Sequence, residues 1–333
     1  MKKLLVPLLV LAAVMVATAL VKRRDEAHAP AVARSRAHAD QLYVEVSALG
    51  GLDYFYDHKL GMKMAGEALG VQTDYVGPAE YDMNAMIAAL EQVMAKPNLK
   101  GLVVVGFEDV LTPIVDKAVA KGIPVVTVDA DLPKSKRLAF VGTGNFQAGV
   151  LGGEKLAALL GGKGKVALMT KSGQSNLEER VAGYKSALAR SSGLEVVQVA
   201  DTQSDPTIAA QAAAALLDAH PDLAGLACVE AAGGLGAATA VRERGRAGKV
   251  HIVAMDRGND ILKLIGDGVI DASVAQQTAL MPFYATQILF NLANTDLPIS
   301  ADNAKAGVRG VPATIDTGAI IVDKSNYTFF VRQ

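Results

Sequence analysis

The sequence predicts an α/β fold built as two doubly wound parallel-sheet lobes. From residue 41 onward, short strands of apolar and β-branched residues alternate with helices, which is typical of parallel sheets covered by helices on both faces. The alternation is interrupted at residues 138–162 and then resumes with similar spacing. With 333 residues, of which 51% are hydrophobic, the chain is long enough for a separate core in each half.

The individual elements follow from local patterns. In the first half, strands are predicted at 42–49, 71–77, 99–107 and 123–129, and helices at 56–69, 81–96 and 111–122. In the second half, strands are predicted at 165–170, 194–201, 223–230, 249–256 and 270–277, and helices at 175–190, 206–219, 233–245 and 258–267. A helix at 282–294 and a strand at 317–324 complete the pattern.

Residues 1–24 have the composition of an export signal. Lys2 and Lys3 precede an uncharged apolar stretch at 4–21, and basic residues follow it, as in signal sequences. A cleaved signal peptide and a retained signal anchor both remain open, because Ala-Thr-Ala at 17–19 suits cleavage and about 20 apolar residues can span a bilayer. Residues 25–40 are predicted to be a linker. We therefore expect the protein in the periplasm or at the cell exterior, free or anchored by its N-terminal segment.

Composition argues against several classes of protein. A formal net charge of -1 leaves no basic surplus for a nucleic-acid partner. Cys228 is the only cysteine and lies in an apolar run, so we expect a buried thiol rather than a nucleophile. The five histidines have no metal-ligand spacing, and we predict neither a metal centre nor a cofactor from them.

Acidic residues follow the ends of the predicted strands. They are Glu108, Asp129, Asp131, Glu230 and Asp256. Ligands of open parallel sheets bind outside the carboxyl ends of the strands, so these acids should share one cleft if the two lobes face each other. For Asp131 and Asp256 a helix N-cap role remains equally open, whereas the glutamate at position 230 is less suited to capping.

An aromatic loop follows the first predicted strand. Gly50–Gly51 leads into Asp53, Tyr54, Phe55 and Tyr56, in a chain with only 5% aromatic residues. Aromatic rings can stack on the apolar faces of a sugar or polyol, and carboxylates accept strong hydrogen bonds from its hydroxyls. The loop therefore predicts a stacking platform; the alternative is a partly buried aromatic loop.

A catalytic interpretation has less support. Gly234 and Gly236 precede a predicted helix, and Asp256 ends the next strand, which partly matches a dinucleotide-binding motif. However, Thr239 occupies the third small position of that motif, and Glu230 would repel a pyrophosphate. No nucleophile motif of the GxSxG type is present. We expect a binding protein without catalytic residues, with an NAD-dependent enzyme as the minor alternative.

Several segments occur in the same order as in a known family. They are GIPVVTVDADL, VGTGNFQAGVLGGEKLA, ERVAGYKSAL, HPDLAGLACVEAAGGLGAATAV, KVHIVAMD and GVIDASVAQQ. Over residues 41–326 the chain resembles the ribose-type periplasmic sugar-binding proteins of ABC transporters. The resemblance implies a periplasmic binding protein type I fold, in which lobes joined by a three-strand hinge close on a monosaccharide. It also implies a monomer that delivers this ligand to an ABC transporter permease in the membrane.

The resemblance further implies where the chain crosses between the lobes. The expected crossings lie near Thr143–Asn145, near Gln276–Thr278 and in the stretch 297–312. The N-terminal lobe would then comprise 41–143 plus 278–297, and the C-terminal lobe 144–277 plus 312–333.

The ligand contacts of the family map onto this sequence in part. The resemblance implies contacts from Asp53, Tyr54, Phe55, Asp129, Asp256 and Gln276. Two arginines of the family fall on Ala130 and Glu178, and an asparagine falls on Glu230. Glu178 and Glu230 are still expected to contact the ligand from the second lobe. Phe107, Glu108 and Asp131 are further candidates that depend on loop geometry.

These departures widen the range of ligands. Compared with the family, this chain lacks two arginines and has two additional acids at these positions. Crowded carboxylates raise one another's pKa or require a cation. A sugar or polyol is favoured, while an amine-bearing metabolite and a bound metal ion remain open. An anchored sensor module is a third class, which would retain residues 1–24 in the mature chain.

Overall fold

The computed structural model describes residues 37–51, 54–295, 297–303 and 305–332. The predicted export signal and most of the predicted linker lie outside the described residues. Within the described ranges, the strands form two six-stranded sheets, each packed against helices on both faces. This arrangement confirms the predicted fold class. None of the helices in the described ranges is long and apolar enough to cross a bilayer.

Strands and helices alternate along the chain. In the first half they are β1 (Leu42–Val46), α1 (Tyr54–Leu69), β2 (Gln72–Val76), α2 (Met83–Met94), β3 (Leu99–Val105), α3 (Thr112–Ala120), β4 (Val125–Val128) and β5 (Ala139–Gly142). They continue with α4 (Asn145–Leu159), β6 (Lys163–Thr170), α5 (Ser175–Leu188), β7 (Gly193–Asp201), α6 (Pro206–Ala219), β8 (Leu223–Cys228), α7 (Ala231–Glu243), β9 (His251–Met255), α8 (Asn259–Gly266) and β10 (Ala272–Gln276). The last elements are α9 (Leu280–Asn294), β11 (Thr314–Asp316) and β12 (Ala319–Asp323).

The first sheet has the order β11-β5-β4-β3-β1-β2, and all its strand pairs are parallel. Residues 102–105 of β3 are fully buried. Because successive strand residues point to opposite faces, such a run requires cover on both sides. Helices α2 and α3 provide that cover on one face, and α1 and α9 on the other.

The second sheet repeats this design with the order β12-β10-β9-β8-β6-β7. Its strands are parallel except for β12, which pairs antiparallel with β10 at the edge. Helices α6, α7 and α8 cover one face, and α4 and α5 cover the other. Asp205 caps α6 through hydrogen bonds from the backbone N–H groups of Thr207 and Ile208, and Pro206 occupies the first turn, a favoured helix start.

Within the described residues, the chain passes between the two sheets at three points. The first two lie between β5 and α4 and between β10 and α9. The third lies at Thr317–Gly318, between β11 of the first sheet and β12 of the second. The prediction of 297–312 for this crossing, with 312 onward in the C-terminal lobe, is therefore wrong, because Thr314–Asp316 pairs with β5 of the first sheet.

Candidate functional site

The first lobe contributes a tyrosine and an aspartate at the carboxyl ends of its strands. Tyr54 begins α1, and Asp129 directly follows β4. The Tyr54 hydroxyl donates a 2.7 Å hydrogen bond to Oδ1 of Asp129. Asp129 has a φ of 64°, a left-handed conformation that non-glycine residues seldom adopt outside turns and functional sites. The Oδ2 atom of Asp129 accepts no hydrogen bond from the described residues and remains able to accept one from a ligand.

The second lobe contributes an equivalent aspartate and a glutamine. Asp256 follows β9 with a φ of 66°. The side-chain amide of Gln276, at the end of β10, donates a 2.9 Å hydrogen bond to Oδ1 of Asp256. This bond fixes the orientation of the carboxylate and again leaves one carboxylate oxygen for a ligand.

Arg180 is a buried cation beside these residues, and the alignment of the family's motifs with this sequence did not identify it. Its guanidinium donates to Oδ1 of Asn145 at 2.9 Å, to the carbonyl of Val229 at 3.0 Å and to Oε1 of Gln276 at 2.9 Å. Arg180 therefore links the start of α4, the end of β8 and the end of β10. The motif alignment placed the second-lobe arginine of the family at position 178. This chain has an exposed glutamate there, in the first turn of α5.

Glycines allow the helix that carries Arg180 to lie close to α4. A β-carbon at Gly149 would overlap the carbonyl oxygen of Arg180, and one at Gly183 would overlap that of Phe146. The backbones of α4 and α5 can therefore approach in a way that larger residues would prevent. This packing positions the guanidinium next to the strand ends.

Asp129 of the first lobe contributes to the electrostatic environment of Asp256 in the second lobe. Burial is the largest cause that raises the pKa of Asp256 to about 6, while Arg180 and the hydrogen bond from Gln276 oppose the rise and Asp129 adds to it. The pKa of Tyr54 is raised well above its usual value by burial and then by Asp129 and Asp256. Asp129 and Asp256 therefore interact electrostatically across the two lobes, while their joint contact with a ligand stays a prediction.

Glu230 lies at the cleft but serves as the N-cap of α7. Its carboxylate accepts 2.8 Å hydrogen bonds from the backbone N–H groups of Ala232 and Gly233, and a further one from the Thr202 hydroxyl. The expectation that glutamate is poorly suited to capping is wrong at this position, because the longer side chain still reaches the second and third N–H groups of the helix.

Two other candidate acids are engaged by protein partners. Arg137 binds both oxygens of Asp131, at 2.6 and 2.5 Å, and the Thr127 hydroxyl donates to the same carboxylate. Glu108 accepts a 2.7 Å hydrogen bond from the Tyr81 hydroxyl. The carboxylates of Asp131 and Glu108 thus have hydrogen-bond partners within the protein and need no ligand to supply them.

Tyr54 and Phe55 of the aromatic loop differ in exposure. Phe55 is buried, with its ring centroid 6.1 Å from that of Phe107 and 5.1 Å from that of His58. Tyr54 is partly exposed beside Asp129. Direct ligand contact therefore stays a prediction for Tyr54, whereas the buried ring of Phe55 belongs to the core. Asp53 lies outside the described residues.

Two observations on the described residues concern metal binding and the thiol of Cys228. The described residues contain no group of three or more histidine, cysteine, aspartate and glutamate side chains that could hold a metal ion. Cys228 is fully buried, and burial raises its pKa well above the usual range of a thiol.

Comparison with known proteins agrees with this architecture. A family model for the periplasmic binding protein domain matches residues 47–296. The D-ribose/D-allose-binding protein of Pseudomonas aeruginosa is 30% identical over 72% of this chain and 76% of its own length. The D-allose-binding periplasmic protein of Escherichia coli is 28% identical over 76% of this chain and 81% of its own length.

Solved structures show the same fold. The arabinose-binding protein AraP of Geobacillus stearothermophilus has a TM-score of 0.83 at 34% identity, covering 88% of this chain and 100% of that one. A sugar-binding protein of a sugar ABC transporter from Bacillus halodurans has a TM-score of 0.82 at 35% identity, covering 87% and 100%. Two parallel-sheet lobes with a cleft between them define a solute-binding architecture. This chain belongs to the periplasmic binding protein family, and its relatives are ribose-type sugar-binding proteins of ABC transporters, as the resemblance implied.

Proposed function

We propose that this protein is an exported solute-binding protein of an ABC importer that captures a monosaccharide between its two lobes. The observation that carries the proposal is the opposition of two half-sites. Tyr54 and Asp129 extend from the first lobe, and Asp256, Gln276 and Arg180 extend from the second. A sugar ring can stack on the tyrosine while its hydroxyls donate to both carboxylates.

Such a site binds its ligand without changing it. The Glu230 carboxylate already occupies the N–H groups at the start of α7 that a dinucleotide pyrophosphate would need. This contact argues against the NAD-dependent alternative. In the proposed function, closure of the lobes about the three crossings buries the sugar, and reopening releases it to the permease.

The family supports a periplasmic location, and relatives named as import binding proteins support a partnership with a permease. We propose that the protein acts as a monomer. We also propose that it has no nucleic-acid partner, consistent with its net charge of -1. Mass determination of the mature chain from the periplasm tests the sensor alternative, since an anchored sensor would retain residues 1–24.

A thermal-shift panel tests sugar capture. The panel contains D-ribose, D-allose and L-arabinose, with the variant Asp129→Asn/Asp256→Asn as the matched control. A sugar at one hundred times its Kd stabilises the native protein by about 2.7 kcal/mol. We expect at least one monosaccharide to raise the Tm of the wild type and not that of the variant. No shift with any monosaccharide, in protein shown to be folded, would contradict the proposal.

An amine-bearing sugar is a second candidate, favoured by the balance of donors and acceptors at the cleft. Three of the five N–H groups of Arg180 are already donated to protein acceptors. The Oδ2 atoms of Asp129 and Asp256 receive no hydrogen bond from the described residues. The cleft therefore offers mainly acceptors with negative charge, which suit an ammonium group.

Matched pairs of ligands distinguish the two candidates. D-galactosamine is compared with D-galactose, and D-glucosamine with D-glucose, by calorimetric titration at pH 5 and pH 7.5. Asp256 ionises as the pH rises through its pKa of about 6, so an amine should bind more tightly at pH 7.5. Equal or weaker binding of the amino sugars at both pH values would exclude this candidate.

A further inference from the structure

Asp57 lies one turn after Tyr54 on α1 and binds three groups with a single oxygen. Its Oδ2 accepts hydrogen bonds from Nη2 of Arg257 at 2.5 Å, from Nη2 of Arg332 at 3.0 Å and from the hydroxyl of Thr278 at 3.0 Å. The side chain of Asp57 is only 4% exposed. A carboxylate in such a position depends on its partners, because a buried charge without them is strongly destabilising.

The three partners of Asp57 belong to separate parts of the molecule. Arg257 directly follows Asp256 at the end of β9 in the second lobe. Thr278 lies at the second crossing, between β10 and α9. Arg332 lies in the C-terminal tail, which follows β12 of the second lobe. The contact from Arg257 therefore joins the lobes directly beside the candidate ligand contacts.

The C-terminal tail is part of the same arrangement. Arg257 also donates through Nη1 to the carbonyl of Phe330 at 3.2 Å. The guanidinium of Arg332 lies 5.4 Å from the ring centroid of Tyr56 on α1, within the range of a cation–π contact. The tail thus extends from the second lobe across to the first helix of the first lobe.

We infer that Asp57, Arg257 and Arg332 form a closure latch that holds the two lobes together independently of direct ligand contacts. The inference rests on the proposed function as a hinged solute-binding protein. Rotation about the crossings would separate Arg257 and Arg332 from Asp57, while Thr278, at a crossing itself, stays near it. The latch stabilises the closed form and sets how readily the lobes reopen.

Fluorescence energy transfer between the lobes tests the latch without any ligand. Donor and acceptor dyes are attached to cysteines introduced at the exposed residues Gln92 of α2 and Lys185 of α5. Cys228 is the only native cysteine and is fully buried, so labelling is confined to the introduced sites. The transfer efficiency of the full chain then reports the ratio of closed to open molecules.

Arg257→Gln is expected to lower the closed-to-open ratio about tenfold, as loss of a partly buried ion pair should. Arg332→Gln should act in the same direction, and Arg257→Lys, which keeps a cation, should retain most of the closed population. The control is Arg242→Gln, which breaks the pair with Asp267 within the second lobe and should change nothing. Adding Arg257→Gln to Asp57→Asn should change the ratio little beyond Asp57→Asn alone, because Asp57 is the shared partner of both arginines.

Wild-type transfer efficiency in folded Arg257→Gln and Arg332→Gln proteins would overturn the latch. These two variants decide the outcome even if Asp57→Asn fails to fold. Because the assay contains no sugar, the measured transfer efficiency tests the latch even if no ligand is found. Sugar binding with unchanged transfer efficiency in the variants would overturn the latch alone and leave the proposed function standing.

Discussion

Asp129 and Asp256 occupy equivalent positions in the two lobes. Each directly follows a parallel strand, and each has a left-handed backbone, with φ values of 64° and 66°. The backbone N–H of each donates to a carbonyl of the neighbouring strand, Val141 for Asp129 and Val274 for Asp256. Each lobe therefore presents one carboxylate to the cleft by the same local geometry, with a strained backbone at each aspartate.

Substitution of either aspartate by asparagine should weaken sugar binding without loss of the fold. Asparagine tolerates the left-handed conformation, but it replaces a charge-assisted hydrogen bond to the ligand with a neutral one. A hydrogen bond to a charged group contributes about 1.5–3 kcal/mol. We expect Asp129→Asn and Asp256→Asn each to raise the Kd by about ten- to a hundredfold, measured by calorimetric titration. Asp131→Asn is the matched control, because Asp131 is bound by Arg137. Unchanged affinity in both cleft variants would contradict the assignment.

Arg180 should be the most sensitive charged residue of the second lobe. Arg180→Met leaves the acceptors of Asn145, Val229 and Gln276 unsatisfied and removes the cation near Asp256. Loss of one partner from a buried charged network typically costs about 3–5 kcal/mol, which urea unfolding measures. Arg190→Met, at an exposed pair with Glu154, should cost no more than about 1 kcal/mol. Equal effects of the two substitutions would show that Arg180 is not part of such a network.

The buried pair of His58 and Glu45 predicts a pH-dependent stability. Nδ1 of His58 lies 2.6 Å from Oε1 of Glu45, and both side chains are fully buried. Burial disfavours protonation of His58, but Glu45, Asp129 and Asp57 outweigh it and raise its pKa above the usual 6.5. The resulting stability is complete below the unfolded pKa and is lost as the pH rises through the raised pKa of the folded protein.

Urea unfolding from pH 6 to pH 9 measures this contribution. The free energy of unfolding of the wild type should fall as His58 loses its proton, and the His58→Gln variant should lack that decline. An identical decline in the variant would assign it to other groups.

Glu230→Ala separates a capping role from ligand contact. The substitution removes the N-cap of α7 and the bond from Thr202, so the free energy of unfolding should fall by about 1–2 kcal/mol. Affinity for the sugar should change less than in Asp129→Asn. A large loss of affinity with normal stability would instead make Glu230 a ligand contact.

Much of the fold could be predicted because its strands are buried on both faces. Runs such as 102–105 contain only apolar residues, and their alternation with helices specifies parallel sheets. The short edge strand β11 has no such run, since Thr314 and Asp316 are polar and exposed. The third crossing was misplaced for that reason: only pairing with β5 shows that this segment belongs to the first sheet.

The positions of Asp129, Asp256 and Gln276 at the ends of strands could be predicted from the sequence, while their contact with a ligand stays a prediction. Arg180 was missed because the motif alignment pointed to position 178, although a local signal existed. Arg180 lies three residues after the buried Leu177 and four before the buried Tyr184, so helical periodicity places it on the inner face of α5. The partners that engage Asp131 and Glu230 depend on loop geometry, which residue type alone does not specify.

A crystal structure of the protein with the monosaccharide that gives the largest thermal shift tests the central claim most directly. The account predicts a sugar between the lobes, stacked on Tyr54, with hydroxyls or an amine donating to both Asp129 and Asp256. A sugar bound to the outer surface of one lobe, with no contact to either aspartate, would contradict it.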